Sequence, residues 1–235
     1  RVIYTLLFRA AADTLLAFGR DPQHLGGTIG VTAILHTWGQ ALTQHLHLHC
    51  LVTGGALAAD RSRWIAGRST FLFPVRALAR VFRAKYLAGL RRAFEAGQLT
   101  FADGTAALAN RQTFTGVLGQ LRAVDWIVYA KRPFAGPEQV LDYLGRYTHR
   151  VALSNDRLVD HRDGRVRFHW RDYAAHDRRK VMPLAADECL RRFLLHVVPR
   201  GFMRIRHFGL LANRTRRGTV TRCRDRLGHP LIEDA

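Results

Sequence analysis

Three histidines alternate with apolar residues between Gln44 and Thr53. His45, His47 and His49 are two residues apart, and the segment ends at the pair Gly54-Gly55. Because side chains two apart on a β-strand share a face, we expect the three imidazoles to project together. Imidazoles on neighbouring same-face positions can bind one divalent cation. The pattern therefore predicts a strand that carries a metal site.

The sequence does not determine which residues complete the ligand shell of this predicted site. Two imidazoles alone form an incomplete shell, so a third group could come from His45 or from the preceding strand, as His36 or Gln40. Such a site suits Mg²⁺, Mn²⁺ or Zn²⁺ acting on a phosphate oxygen. A zinc hydrolase would need a carboxylate soon after the histidines. The next acid is Asp60, beyond the glycine turn, which disfavours that class.

A second motif pairs two tyrosines on a predicted helix. Tyr143 and Tyr147 are four residues apart, as are Arg146 and Arg150, so each pair shares a helical face. The phenols could simply be half-buried packing residues, but the arginines would hold a phosphate backbone beside them. An ordinary phenol, with a pKa near 10, is only about 0.1% ionised at pH 7. A divalent cation can offset that deficit, so the two motifs together predict nucleic-acid strand cleavage.

The charge of the chain favours a polyanionic partner. Its 235 residues include 37 Lys and Arg against 18 Asp and Glu, a formal charge of +19. A hydrophobic content of 48% excludes a disordered basic tail. The segment 191–226 is rich in arginine, and we expect it to track a DNA backbone. The side chains predicted to contact DNA are Arg146, Arg150, Arg204, Arg206, Arg214, Arg216 and Arg217.

The hydrophobic patterns predict interleaved helices and strands, typical of an α+β protein with an antiparallel sheet. Three widely spaced cysteines give no disulfide framework and indicate a reducing compartment. Charged residues interrupt the apolar runs, so we expect no membrane span or signal peptide. Predicted helices cover 2–18, 74–96, 111–122, 137–149 and 185–198. Predicted strands cover 27–38, 44–53, 126–130 and a hairpin, 157–160 with 165–170, around Asp163-Gly164.

These motifs resemble a known family. His47-Leu48-His49 is similar to the signature of the HUH endonuclease superfamily, and with Tyr143 and Tyr147 it resembles the two-tyrosine rolling-circle transposases of bacterial insertion sequences. The resemblance covers nearly the whole chain. It extends to HTWGQALTQHLHLHCLVTGGAL, DWIVYAKRPFAGPEQVLDYLGRYTHRVALSN and GFMRIRHFGLLANR.

The resemblance implies an antiparallel-sheet HUH nuclease-like core with flanking helices and a basic C-terminal extension. It implies His47 and His49 as metal ligands, with His45 as a further candidate, and Tyr143 and Tyr147 as nucleophiles. The implied cofactor is Mg²⁺ or Mn²⁺, with no small organic cofactor. The implied partner is single-stranded DNA at transposon ends and target, cleaved through a 5′-phosphotyrosine intermediate by a bacterial, cytoplasmic, nucleoid-associated enzyme.

The sequence also departs from the family pattern. Leu46 stands where proline is usual, the glycine run after the strand is short, and the family's N-terminal zinc-binding domain is absent from these residues. The chain starts in mid-pattern at Arg1, so we expect it to be part of a longer protein. We predict a nuclease core at residues 1–155 and a DNA-binding extension at 156–235. The alternative function is that of a truncated remnant that binds DNA without cutting it.

Overall fold

The computed structural model describes residues 1–68, 70–148, 152–172 and 176–228, apart from the side chains of Asp103 and of residues 146–148. Helices and strands interleave, which confirms the predicted α+β class. The helices are α1 (Val2–Arg20), α2 (Val75–Glu95), α3 (Arg111–Ala123), α4 (Pro137–Thr148), α5 (Ala186–Leu194) and α6 (Arg216–Arg226). Short 3₁₀ helices cover Asp103–Ala109 and Asn155–Arg157.

The strands form three small sheets in the described part of the chain. The strands are β1 (Gly27–Thr28), β2 (Gly30–Trp38), β3 (Gln44–Val52), β4 (Gly55–Ala58), β5 (Trp64–Ala66), β6 (Leu158–Arg162), β7 (Arg165–Asp172), β8 (Arg178–Ala185) and β9 (Ile205–Gly209). The sheet orders are β1-β4-β5, β3-β2-β9 and β6-β7-β8. The strands β2 and β3 are neighbours in one sheet, and this pairing brings the histidine strand against β2.

Local sequence signals explain several element boundaries. Asn110 caps α3, because its side-chain oxygen accepts hydrogen bonds from the backbone N–H groups of Gln112 and Thr113 at 2.8 and 3.1 Å. Pro137 opens α4, where a missing N–H costs nothing. The predicted hairpin β6-β7 is confirmed. Its turn residues Asp163 and Gly164 have φ values of 50° and 68°, in the left-handed region that a tight hairpin turn requires.

The chain separates into two compact units built from alternating segments. Unit 1 comprises Arg1–Ala33, Cys50–Pro133 and Arg206–Ala235, and unit 2 comprises Ile34–His49 and Phe134–Ile205. Unit 1 has an apolar core around Ile29, Val31, Ala56 and Phe73. Unit 2 has a separate core around Leu42, Ala152, Phe168 and Cys189. The functional division between residues 1–155 and 156–235 stays a prediction.

The predicted buried strand at Trp126–Ala130 is wrong, since these residues form no strand. Their side chains still alternate. Trp126 packs against Phe82 in unit 1, whereas Ile127 and Tyr129 are 94% and 79% exposed. Alternation alone does not make a strand, because a strand also needs a neighbour to accept its backbone hydrogen bonds.

Helix α1 is long and apolar enough to cross a membrane by length and composition, with a mean hydropathy of 1.4 over its most apolar window. The prediction that charged residues exclude every possible membrane-spanning segment is therefore wrong for α1, by length and composition alone. Leu7, Phe8, Ala10 and Ala12 are nevertheless buried within unit 1. Burial of one face is also the behaviour of a core helix in a globular unit, so the composition of α1 is weak evidence for a membrane.

Candidate metal and nucleophile site

Three histidines of unit 2 come together on the neighbouring strands β2 and β3. His36 lies on β2 and is buried, while His47 and His49 lie on β3 and are half-buried. Their ligand nitrogens all lie within 4.8 Å of one another. The Nε2 atoms of His47 and His49 are 3.1 Å apart. This spacing allows three imidazoles to bind one ion, and we call these residues the histidine triad.

The ring of His47 is held in an orientation suited to metal binding. Its Nδ1 lies 2.8 Å from the backbone carbonyl of His45, which can only accept a hydrogen bond. The proton therefore sits on Nδ1, and the lone pair on Nε2 faces the triad. Burial lowers the pKa of His47 below 6.5. This effect outweighs the hydrogen bond to His45, which raises that pKa, and the nearby His45 ring adds to the lowering. A neutral imidazole at neutral pH is the form that ligates metals.

Tyr143 of α4 reaches the triad. Its hydroxyl oxygen lies 3.1 Å from Nδ1 of His49, and its ring packs near that of Phe134, with centroids 5.3 Å apart. The predicted nucleophile and two predicted ligands are therefore brought together from segments 94 residues apart. This arrangement places a phenol oxygen next to the group that would bind a metal ion.

The other predicted site residues differ in how far the structure describes them. His45 lies on β3 with its ring centroid 4.7 Å from that of His47. The histidine triad, whose nitrogens are close enough to share one ion, contains His36 instead of His45. A ligand role for His45 stays a prediction. Arg150 lies outside the described residues, as do the side chains of Arg146 and Tyr147, although α4 itself runs to Thr148.

Two of the arginines predicted to contact DNA pack on aromatic rings. The guanidinium of Arg204 lies 5.2 Å from the centroid of Trp38, a ring that also stacks on His36. In unit 1, Arg206 lies 4.5 Å from the centroid of Phe8. Burial lowers the pKa of both guanidinium groups, and the nearby Arg1 adds to the lowering at Arg206. These contacts are structural, and a role in DNA binding stays a prediction for both residues.

By contrast, Arg214, Arg216 and Arg217 are exposed. Arg214 precedes α6, and the other two stand in its first turn. Helix α6 has no buried residue, so its basic side chains face solvent. These three arginines are placed where a phosphate backbone could reach them.

Sequence reasoning missed the groups that hold the turn between β2 and β3. Three consecutive backbone carbonyls of this turn, those of Gln40, Ala41 and Leu42, accept hydrogen bonds from Arg157, Arg192 and His196 in that order. Leu42 is fully buried with φ 56°, which is uncommon for a residue other than glycine. We call these donors the turn clamp. No spacing signal identifies them, because they lie 117 to 154 residues from their acceptors.

Arg157→Ala is expected to destabilise the protein by about 2–4 kcal/mol. The side chain also donates to the carbonyls of His169 and Ala152, at 2.9 and 3.1 Å, and removing it leaves these acceptors without their charged donor. Denaturant unfolding measures the change. Arg63→Ala, at an exposed position, is the control and should change stability by less than about 0.5 kcal/mol. An Arg157→Ala variant as stable as the control would contradict this assignment.

The clamp also depends on pH through Glu188. Its carboxylate accepts hydrogen bonds from Arg191 and Arg192, at 2.6 and 2.7 Å, and they lower its pKa from 4.5 to about 2. Because the folded pKa is the lower one, this stabilisation is present above pH 4.5 and lost as the pH falls toward 2. Glu188→Gln should therefore reduce the loss of Tm between pH 6 and pH 3. Asp187→Asn, an exposed position on the same helix, is the control and should keep the full loss.

Comparison with known proteins places the chain in a family. The sequence model of the Y2 family, which is described as "Putative transposase", matches residues 30–218 of this chain. These residues include the histidine triad and α4. The chain belongs to this transposase family. The resemblance inferred from the histidine and tyrosine motifs is therefore confirmed.

Two curated relatives give the extent of the similarity. "Putative transposase y4qJ" of Sinorhizobium fredii is 55% identical over 227 residues, which cover 97% of this chain and 57% of that protein. "Transposase for insertion sequence element IS801" of Pseudomonas savastanoi pv. phaseolicola is 28% identical over 218 residues, covering 91% of this chain and 50% of that protein. The chain thus spans about half the length of these relatives. No solved structure matches it significantly.

Proposed function

We propose that this member of the transposase family cleaves and rejoins single-stranded DNA through a covalent link to tyrosine. The observation that carries the proposal is the hydroxyl of Tyr143, 3.1 Å from a histidine of the triad. The names of the two relatives support transposition as the process served. A bacterial cytoplasmic setting, at the nucleoid, is part of the proposal.

The donor set fits a divalent metal ion. Three neutral imidazoles are nitrogen ligands, which a first-row transition ion accepts more readily than Mg²⁺, a cation that prefers oxygen. Of the two predicted ions, Mn²⁺ is therefore the better match to His36, His47 and His49. When bound, such an ion would polarise the scissile phosphate and stabilise the charge that develops on it.

The residues of the chain itself orient the nucleophile. An imidazole that uses Nε2 as a ligand carries its proton on Nδ1, so His49 would donate a hydrogen bond to the Tyr143 oxygen. A hydrogen bond donated to a phenol oxygen favours the phenolate, which is the attacking form. Packing of the Tyr143 ring near Phe134 restricts the directions from which that oxygen can approach a substrate.

In the proposed reaction the Tyr143 oxygen attacks a backbone phosphorus atom. A bond from the tyrosine oxygen to phosphorus forms as the bond from phosphorus to the 3′-oxygen breaks. The tyrosine proton passes to solvent and the departing 3′-oxygen takes up a proton from solvent, which leaves a 5′-phosphotyrosine and a free 3′-hydroxyl. Tyr147, one turn further along α4, would serve strand transfer by the same chemistry.

The experiment is a covalent-capture assay. The protein is incubated with 5′- or 3′-labelled single-stranded DNA of varied sequence and Mn²⁺, then denatured and separated by electrophoresis. We expect an adduct that carries the 3′ portion of the strand, joined through its 5′-phosphate, and that is lost with a chelator. Binding without any adduct would instead favour the alternative function, a truncated transposase remnant that binds DNA without cutting it.

A further inference from the structure

The sheet β6-β7-β8 of unit 2 has one buried face and one exposed face. Phe168 and Trp170 of β7 join the core of the unit. Arg165, Arg167 and Arg171 alternate with them and are exposed. Because successive side chains of a strand point to opposite faces, these three arginines share the outer face of the sheet.

The register of the sheet places further arginines directly opposite them. Arg162 of β6 pairs with Arg165, and Arg179 of β8 pairs with Arg171. Like charges at directly opposed positions destabilise a sheet. Two such pairs on one small sheet are therefore not explained by the stability of the sheet itself, and they indicate that the outer face meets a negatively charged partner.

Carboxylates offset only part of this charge. Asp160 accepts a hydrogen bond from Arg167 at 2.7 Å and also lies 3.7 Å from Nε of Arg162, and Asp177 accepts a hydrogen bond from Arg171 at 2.6 Å. Arg165 and Arg179 have no ion-pair partner within the described part of the chain. We use the name arginine face for Arg162, Arg165, Arg167, Arg171 and Arg179.

The dimensions and chemistry of the arginine face fit one kind of partner. From Arg165 to Arg171 the strand rises about 20 Å, at about 3.4 Å per residue. Duplex DNA presents about a dozen phosphate charges over that length. Single-strand binding surfaces usually add aromatic rings on which bases stack. Here Phe168 and Trp170 lie on the opposite face, so among the described residues the arginine face carries no Phe, Tyr or Trp ring for stacking, and the ring of His169 on this face is half-buried.

We propose that the arginine face binds the phosphate backbone of duplex DNA, independently of sequence. The inference rests on the proposed function only in taking DNA as the substrate, and it adds a duplex-binding surface to the single-strand cleavage site. The surface would hold the double-stranded part of a substrate whose single-stranded part is cut. The arginines predicted from the sequence to bind DNA do not include any member of this face.

The test compares two triple variants of the full chain with the same change in charge. In the face variant Arg162, Arg165 and Arg179 are replaced by Gln, and in the control variant the exposed Arg76, Arg80 and Arg91 of α2 are replaced by Gln. Fluorescence anisotropy with a 20-base-pair duplex of arbitrary sequence gives Kd across a range of NaCl concentrations. A matching 20-nucleotide single strand is measured in parallel, and thermal melting checks that both variants fold.

We expect the face variant to bind the duplex at least tenfold more weakly than wild type. The slope of log K against log salt should fall in magnitude by about 2–3, or about 0.9 for each phosphate that the variant no longer neutralises. The control variant should bind less than threefold more weakly. Equal effects in the two variants, an effect confined to the single strand, or no duplex binding by wild type would each overturn the proposal. The adduct assay uses single-stranded DNA and wild-type protein, so failure of the cleavage proposal is detected separately.

Discussion

Tyr143→Phe is expected to slow formation of the covalent DNA adduct by about a thousandfold or more, as loss of a catalytic nucleophile does in other enzymes. The substitution removes the single oxygen that lies 3.1 Å from His49 Nδ1 and retains the ring that packs near Phe134. The fold should therefore be preserved. Rates of adduct formation with single-stranded DNA and Mn²⁺ measure the effect.

Tyr129→Phe is a matched control, because it makes the same chemical change at a tyrosine that is 79% exposed and lies outside the site. Its adduct rate should equal that of wild type. The double variant Tyr143→Phe with Tyr147→Phe should form no adduct at all. A wild-type rate in Tyr143→Phe would show that this tyrosine is not the first nucleophile, and an adduct in the double variant would exclude both tyrosines.

His36→Ala should weaken Mn²⁺ binding by more than about a hundredfold. Loss of an outer-shell partner typically costs about 10–100-fold in metal affinity, and loss of a ligand is expected to cost more. His47→Ala and His49→Ala should have effects of the same size, because all three nitrogens belong to one group within 4.8 Å. Isothermal titration calorimetry measures the affinity, and the EPR signal of bound Mn²⁺ reports on its ligands.

His45→Ala distinguishes two possible ligand sets. The set predicted from the sequence includes His45, whereas the set that the structure brings together includes His36. His45 contributes its backbone carbonyl to His47, and this carbonyl survives the substitution. The expected loss of Mn²⁺ affinity is therefore much smaller than for His36→Ala. The opposite order, with His45→Ala the more damaging change, would favour the set of His45, His47 and His49.

The sequence predicted the two strands of the site better than it predicted their mutual register. Period-two alternation was enough to put His47 and His49 on one face of β3. His36 stands in an almost wholly buried strand, where no alternation distinguishes a ligand from a packing residue. Its position opposite the other two depends on the register in which β2 and β3 pair. A single sequence is compatible with several such registers.

The clustering of arginines in the sequence also predicted only in part which of them are exposed to a DNA partner. A run of arginines predicted a DNA-binding tail, but Arg204 and Arg206 pack on aromatic rings, whereas Arg214 and Arg216 are exposed. The side chain of arginine suits both environments, because its planar guanidinium stacks on rings and also binds phosphate. Composition records the residue type and carries no information about which of the two surroundings the fold provides.

The clamped turn between β2 and β3 bears on how this protein can be re-engineered. Short surface turns are the usual sites for new termini, inserted domains or affinity tags, since their backbone is normally solvated and free to move. In this turn the carbonyls of Gln40, Ala41 and Leu42 are already bound by distant side chains. A circular permutation that opens the chain there should fail to fold, while the hairpin turn at Asp163-Gly164, which is exposed, should tolerate one.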